Sequence, residues 1–233
     1  RCQDKSWYNE DEGTYRGHRK EFPAVAVIVS YDNTLTIFDG DDPNLSMWMH
    51  FDGNASAASF DAAYMLSAGI DGYGRGMHSC MMNGKLVVGG MDAYRDGVTI
   101  IDFVSDTATK LMSDGTRHSP FGIIDRNRNN HYANTAHPTG GGTRHNKPID
   151  LDMNVLPDSK VDPRTGLPIP CIVICCEGAS VSIIHDNGET VYDITGLWGE
   201  SPNRIAFEKK GNPYKFAFTG EWSRTVLVYD VSE

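Results

Sequence analysis

The chain repeats one short layout of apolar and polar residues four times, and this repetition limits the possible folds more than any other feature. A tetrad of apolar, polar or small, apolar and apolar residues is followed by a polar stretch and a second apolar run. The layout occurs as LTIFDGDDPNLSMWM at 35–49, VTIIDFVSDTATKLM at 98–112 and VSIIHDNGETVYDIT at 181–195, and a fourth copy, VLVYDVSE, begins at Val226. Two apolar runs flanking a polar turn indicate a β-hairpin.

Further strand-length segments precede these hairpins. Apolar runs bounded by Gly, Pro, Asn or Asp stand before the four copies, at 23–30, 85–90, 170–176 and 214–220. Three copies have one more such segment upstream, at 77–82, 149–156 and 204–209. Four short antiparallel strands in meander order form one blade of a β-propeller. The sequence therefore predicts an all-β, β-propeller-like fold of antiparallel meander blades, with about four units in this chain and the last one incomplete.

The spacing of the tetrads divides the chain into units and insertions. The tetrads begin at residues 35, 98, 181 and 226, and only the last interval matches a compact blade of about 40–50 residues. The two longer intervals contain loop-like insertions at 52–76 and 113–148. We expect an N-terminal arm at 1–22 and one propeller-like domain at 23–233, with units near 23–51, 77–112, 149–195 and 204–233.

Both ends of the sequence lead us to expect partners for the incomplete unit. The fourth copy stops within its layout, and an open strand edge invites aggregation. The chain begins with Arg1, without an initiator Met and without the apolar segment of a signal peptide. We expect the missing strands to come from a longer protein, from residues 1–22 or from another subunit, and we expect residues 1–22 to be able to dock onto a neighbour.

The charge balance argues against two classes of partner. The 31 acidic residues outnumber the 21 basic ones and give a net charge of −10, which repels nucleic-acid phosphates and anionic membranes. No apolar stretch approaches the roughly 20 residues of a membrane-spanning helix. We therefore expect neither nucleic acid as a partner nor insertion into a membrane.

Three groups of side chains contain residue types that can bind a metal ion. The cysteines in CIVICC at 171–176 form no C-x-x-C pair and are expected to be buried free thiols. Asp39, Asp41 and Asp42 either bind Ca²⁺ or form a polar turn, and the sequence favours the turn because the rest of a calcium loop is missing. Four histidines in the second insertion fit no compact zinc pattern and are expected to be solvated, namely His118, His131, His137 and His145. We predict no metal and no cofactor.

Catalysis would need carboxylates or nucleophiles at suitable positions. Propeller glycoside hydrolases use paired carboxylates that face the central channel, and Asp150, Asp152 and Glu208 lie on strands predicted to be innermost. No nucleophile or phosphate-binding motif is present. Four aromatic residues are expected to pack within the blades and not to stack on sugars, namely Trp48, Trp198, Trp222 and Tyr214. We therefore predict that the chain is not an enzyme.

Four segments resemble large, mostly uncharacterised proteins of marine bacteriophages. They are RKEFPAVAVIV at 19–29, TIFDGDDPNLSMWMHF at 36–51, MMNGKLVVGG at 81–90 and VLPDSKVDPRTGLPIPCIVICCEGASVSII at 155–184. Proteins of that family are taken to be virion structural or tail-fibre-like components. The resemblance implies a structural or assembly component of the tail or fibre apparatus, located in the virion after assembly in the host cytoplasm. Its partners would be other virion proteins in a homo- or hetero-oligomer.

Two other functions stay open at this point. The insertions at 52–76 and 113–148 suit recognition of a host surface, including its glycans, because long loops on a rigid β scaffold commonly carry binding surfaces. A propeller glycoside hydrolase is the third class, and it depends on whether two carboxylates meet at one sugar.

Overall fold

A computed structural model gives the arrangement of most of the chain. It describes residues 2–31, 34–53, 64–66, 77–90, 97–112, 115–128, 131, 148–177, 180–185, 191–194, 202–220 and 226–231. Within these ranges the chain forms fifteen β-strands, two single-turn 3-10 helices at Ser6–Asn9 and Ile123–Asp125, and no α-helix. None of the described helices has the length and apolar character needed to cross a membrane. The all-β prediction is confirmed.

The strands form four antiparallel sheets, numbered here in chain order. Sheet 1 contains β1 (Ala26–Tyr31), β2 (Thr34–Asp39) and β3 (Met47–Asp52). Sheet 2 contains β4 (His78–Met82), β5 (Lys85–Gly90), β6 (Gly97–Asp102), β7 (Thr107–Met112) and β8 (Gly115–His118). Sheet 3 contains β9 (Pro148–Asn154), β10 (Cys171–Cys176), β11 (Ser180–Ile184) and β12 (Val191–Ile194). Sheet 4 contains β13 (Pro202–Phe207), β14 (Lys215–Gly220) and β15 (Val226–Asp230).

Every sheet is a meander, because strands that follow one another in the sequence are also neighbours in the sheet. The connection between β4 and β5 shows how the sequence sets the register. Asn83 and Gly84 both have positive φ, 49° and 79°, and this pair of conformations gives the tight two-residue turn that fits the twist of a hairpin. The register then pairs Met82 with Lys85 directly across the turn. The predicted meander blades are thus confirmed.

The four sheets stack face to face through three apolar clusters. Sheets 1 and 2 share a cluster that includes Leu35, Ile37, Phe51, Leu86, Val88 and Ile101. Sheets 2 and 3 share Val87, Val98, Leu111, Leu151, Ile172 and Ile174, and sheets 3 and 4 share Val173, Cys175, Val181, Ile205, Phe216 and Phe218. A fully buried side chain of this kind stabilises the fold by about 1.5–3 kcal/mol, so these three contacts hold the sheets together.

The sheets pack in the order in which they occur in the sequence. Sheets 2 and 3 each bury both faces, one against the preceding sheet and the other against the following sheet. Side chains alternate between the faces of a strand, so Leu86 and Val88 contact sheet 1 while Val87 contacts sheet 3. Sheets 1 and 4 each bury only one face in these clusters.

The N-terminal segment, residues 2–22, packs against sheets 1 and 2 of its own chain. The side chain of Trp7 is completely buried, and its ring lies at an angle to those of Trp48, Phe22 and Phe103. The indole N–H of Trp7 donates to the carbonyl of Phe103 at 2.7 Å. The segment therefore supplies part of the core and does not stand apart as a free arm.

Two buried arginines fix this segment in place. Arg16 donates from its guanidinium to the carbonyl oxygens of Trp48 and Lys20, and burial lowers its pKa to about 10. Arg126 joins the carboxylate of Glu10 through two hydrogen bonds of 2.6 and 3.0 Å. Because both guanidiniums are almost fully buried, water competes little for their hydrogen bonds.

The two predicted insertions are described only in part. Residues 54–63 and 67–76 of the first insertion, and residues 113–114, 129–130 and 132–147 of the second, lie outside the described residues. Met65 and Leu66, within the first insertion, are fully buried in the cluster of sheets 1 and 2. The second insertion begins with β8, which pairs with β7 as the fifth strand of sheet 2, and so this part is not a loop.

Candidate functional site

The inner strand β9 carries two of the three carboxylates that the sequence marked as candidates for catalysis. Asp150 and Asp152 lie two residues apart on β9 and face β13. Asp150 accepts a hydrogen bond from the backbone N–H of Ile205 at 3.0 Å, and Asp152 accepts one from Phe207 at 2.9 Å. Both N–H groups are on the side of β13 that no other strand pairs with. The two carboxylates therefore satisfy a strand edge that would otherwise lack partners.

Basic side chains complete this arrangement. Nδ1 of His78 lies 3.3 Å from Asp150, and Nζ of Lys209 lies 2.9 Å from Asp152. Burial alone would raise the pKa of Asp150, but the hydrogen bonds from His78 and from the Ile205 N–H outweigh it, so this pKa lies below its usual range. Asp150 is thus held as a carboxylate that acts as a hydrogen-bond acceptor.

Asp150 does not fit the role of the proton donor in a glycoside hydrolase. Such an enzyme needs one carboxyl group with a raised pKa to protonate the leaving group, and the pKa of Asp150 is shifted in the opposite direction. The structure brings Asp150 and Asp152 together on β9, whereas Glu208 follows the end of β13 with an exposed side chain. Asp150 and Asp152 instead bind the backbone of sheet 4 through the N–H groups of Ile205 and Phe207.

We expect the replacement Asp150→Ala to lower the free energy of unfolding by about 1–3 kcal/mol, because it leaves the Ile205 N–H without its acceptor. The loss should be specific to pH values above about 4. A carboxylate whose folded-state pKa is depressed contributes stability above its unfolded pKa, and this contribution disappears as the pH falls through the folded pKa. Urea unfolding of both proteins between pH 3 and 7 measures this, and a difference that stays constant over this range would contradict it.

The acidic cluster after β2 is a turn bound to an arginine. The guanidinium of Arg19 pairs with Asp39 at 2.5 Å and with Asp41 at 3.3 Å, and it holds the pKa of Asp39 below its usual range. Asp42 accepts the backbone N–H of Asn44 at 2.9 Å. These contacts confirm the predicted polar turn. In the described ranges no three His, Cys, Asp or Glu side chains are arranged to hold a metal ion.

The histidines of the second insertion differ from one another. His118 is exposed on β8 and contacts the hydroxyl of Thr109. The prediction of a solvated side chain is wrong for His131, which is fully buried. Its ring nitrogens contact Ser119 Oγ at 2.8 Å and the Asp125 carbonyl at 2.6 Å, and burial lowers its pKa. His137 and His145 lie outside the described residues.

The aromatic residues and cysteines that are described lie in or beside the apolar core, as the sequence predicted. Trp48 is fully buried and donates its indole N–H to the Glu21 carbonyl at 2.8 Å, which confirms the packing role. Tyr214 is partly buried against the cluster of sheets 3 and 4, and its hydroxyl donates to Asp158. Trp198 and Trp222 lie outside the described residues. The three cysteines of the run at 171–176 are buried thiols that form no disulfide, as predicted.

One polar constellation was missed by the sequence analysis. Thr36 on β2 lies opposite His50 on β3, and its hydroxyl contacts His50 Nδ1 at 2.8 Å while His50 Nε2 contacts Asp52 at 3.2 Å. The order hydroxyl, imidazole and carboxylate is the order of a nucleophile with its base. However, the ring of Tyr15 stacks on His50 at 5.8 Å, and these residues line neither of the clefts described next.

Two clefts open between neighbouring sheets. A cleft of about 290 Å³ lies between sheets 2 and 3, and the β9–β10 connection forms one of its walls. Its apolar side includes Ile100 and Ile172, and its rim carries the ion pair of Lys85 with Asp102 at 2.5 Å. A second cleft of about 230 Å³ lies between sheets 1 and 2 beside Phe22. Both are small in comparison with typical ligand pockets of about 300–1,000 Å³.

Exposed apolar side chains lie on the two sheet faces that the stack of described strands leaves open. On sheet 1, Val29 and Tyr31 are 47% and 73% exposed. On sheet 4, Val226 and Val228 are 59% and 60% exposed. In β1 the neighbouring Ile28 and Ser30 are partly buried, whereas Leu227, between the two valines of β15, is itself 38% exposed. We call the two surfaces the open face of sheet 1 and the open face of sheet 4.

Comparisons with known proteins give distant structural similarity only. No family model matches the chain, and no curated protein matches it. Among solved structures, Raptor from Chaetomium thermophilum is similar at 12% identity and a TM-score of 0.37, over 89% of this chain and 19% of that one. BBS1N, solved in complex with ARL6DN, is similar at 15% identity and a TM-score of 0.34, over 71% of this chain and 54% of that one. The chain thus spans about a fifth and about half of these two proteins.

Proposed function

We propose that this chain is a non-enzymatic structural protein of a bacteriophage virion. In this role the stacked sheets are a rigid scaffold, and the open faces of sheets 1 and 4 make contacts with other virion proteins in the tail or fibre apparatus. The resemblance of the segments at 19–29, 36–51, 81–90 and 155–184 to marine phage proteins supports the assignment to a virion.

The exposed apolar residues on the open faces carry the proposal. Exposed apolar side chains on one side of a rigid sheet are a common feature of protein contacts. Val226 and Val228 occupy alternate positions of β15 and so point to the same side of sheet 4.

The inner carboxylates support the non-enzymatic part of the proposal. Asp150 and Asp152 each bind a backbone N–H of β13, and they are also in contact with His78 and Lys209. Moving either carboxylate toward a substrate would leave a buried strand edge without partners, at a cost of about 1–3 kcal/mol for each group.

Quantitative mass spectrometry of purified phage particles tests this proposal. We expect the chain to travel with the particles through a density gradient and to keep a constant ratio to the major capsid protein. A host protein of similar abundance in the lysate serves as the control and should be lost. Recovery of the chain only in the unassembled fraction of the lysate would contradict the virion role.

A further inference from the structure

The turn at residues 122–128 anchors the N-terminal segment of the chain. It is built on the 3-10 helix that follows β8 and on the backbone hydrogen bonds around it. The backbone N–H of Ile124 donates to Ser6 Oγ at 3.2 Å, and the guanidinium of Arg126 binds the carboxylate of Glu10. A change in the conformation of this turn would therefore affect the N-terminal segment.

A buried histidine holds the turn in place. His131 is fully buried, and its Nε2 lies 2.6 Å from the carbonyl oxygen of Asp125. A carbonyl oxygen only accepts hydrogen bonds, so Nε2 carries a proton. The other ring nitrogen, Nδ1, lies 2.8 Å from the hydroxyl of Ser119, which can donate to it. The neutral ring thus satisfies both of its nitrogens with uncharged partners.

A second proton on this ring is unfavourable in the folded chain. Burial has the largest influence and lowers the pKa of His131, because a charged ring would have no contact with water. Asp125 raises the pKa through its carbonyl and its charge, and the guanidinium of Arg128 lowers it. A proton on Nδ1 would also force the Ser119 hydroxyl to turn its own proton toward the Phe121 carbonyl, 3.2 Å away.

We propose that His131 is a pH-sensitive contact that releases the turn at 122–128 in acidic solution, and that this release loosens the N-terminal segment. When the turn opens, the imidazole reaches water and can take up the proton that the closed state disfavours. Protons therefore stabilise the open state relative to the closed state. The inference concerns a conformational response of the fold and does not depend on the proposed virion role.

The pH range follows from the burial of the ring. Above about pH 6.5 the ring is neutral in both states, so the pH does not affect opening. As the pH falls below this value, the open state takes up the proton first, and opening becomes more frequent by at most about tenfold per pH unit. The increase ends below the folded-state pKa of His131, where both states are protonated. The carboxylate of Asp150 responds only at lower pH, because its pKa lies below the usual range of a carboxyl group.

Titration of the ring in the intact chain tests the first step. Two-dimensional NMR of a chain with nitrogen-15-labelled histidines should show His131 with its proton on Nε2 at neutral pH. It should take up the second proton at a lower pH than the histidines of the same chain unfolded in urea. A His131 ring that becomes protonated at the same pH as in urea, or at a higher one, would overturn the inference.

Hydrogen exchange followed by mass spectrometry tests the release of the turn. Rates at pH 7.5 and 5.5 are compared after correction for the pH dependence of intrinsic exchange. Peptides from 119–128 and from 2–11 should exchange severalfold faster at pH 5.5, whereas peptides from β10 in sheet 3 should not change. Faster exchange in 119–128 without any change in 2–11 would refute the coupling to the N-terminal segment.

Two histidine variants separate His131 from the other titrating groups. His131→Gln removes the titrating ring, so exchange in 119–128 should no longer depend on pH in this range. His118→Gln is the matched control, because His118 is exposed on β8, and it should keep the full response. A response that persists in His131→Gln, or that is lost in His118→Gln, would contradict the assignment to His131. If near-UV circular dichroism shows that His131→Gln does not fold, the ring titration of the original chain decides the question.

Discussion

We expect the replacement Arg126→Ala to lower the free energy of unfolding by about 3–5 kcal/mol. The guanidinium of Arg126 is almost fully buried. It donates to the carboxylate of Glu10 and also to the carbonyl oxygens of His50 and Tyr15, at 2.7 and 2.6 Å. Its loss leaves a partly buried carboxylate without its cation and takes one donor from each carbonyl, so that, among the described donors, Tyr15 keeps only the N–H of His50 and His50 keeps only the amide of Asn127. Urea unfolding at neutral pH, followed by circular dichroism, measures the loss.

Arg128 provides the matched control for this prediction. It lies two residues further along, its side chain is exposed, and it stacks over the ring of Phe121 at 4.5 Å. Arg128→Ala should cost no more than about 1 kcal/mol, as expected for an exposed cation over an aromatic ring. Arg126→Lys should fall between the two, because lysine keeps the charge but cannot form the paired hydrogen bonds to Glu10. Equal losses for Arg126→Ala and Arg128→Ala would show that the buried network is absent.

The second large effect concerns Trp7. We expect Trp7→Ala to lower the free energy of unfolding by about 3–5 kcal/mol, because it opens a cavity among the rings of Trp48, Phe22 and Phe103. Trp7→Phe keeps most of the volume but removes the hydrogen bond to the Phe103 carbonyl, and its cost should be much smaller. Thermal and urea unfolding of the three proteins measure these differences.

An exposed apolar residue gives the comparison for Trp7. Ile124 is 45% exposed, and Ile124→Ala should change the free energy of unfolding by about 0.5 kcal/mol or less. If Trp7→Ala were equally mild, the N-terminal segment would not belong to the core of sheets 1 and 2. A large loss for Trp7→Ala would instead establish that residues 2–22 fold as part of the stack.

The strands could be predicted because their signals are local. Apolar runs such as CIVICC at 171–176, and turn pairs such as Asn83 and Gly84, specify a strand or a hairpin from a few neighbouring residues. β8 was missed because its residues, Gly115–His118, are polar and show no alternation. It becomes a strand only because β7 lies beside it and offers unpaired backbone groups.

The roles of the polar residues could not be predicted, because their partners are remote in the sequence. Asp150 was correctly placed on an inner strand, but its acceptor role depends on the N–H of Ile205, which is 55 residues away. Trp7 donates a hydrogen bond to the carbonyl of Phe103, which is 96 residues away. No pattern in the N-terminal segment predicts this contact. His131 looks like a loop histidine, and only the fold shows that Ser119 and the Asp125 carbonyl enclose it.

Hydroxyl-radical labelling of the free chain, at a concentration where it is monomeric, tests most directly whether two sheet faces are open. Side chains on the open faces should react readily, Tyr31 and Val228 among them, while Phe51 and Phe218 on the opposite sides of the same sheets should be protected. Tyr192, which is also exposed, gives the reference rate for a solvated tyrosine. Protection of Tyr31 and Val228 to the level of Phe218 would mean that another part of the chain covers these faces, and it would contradict the open stack.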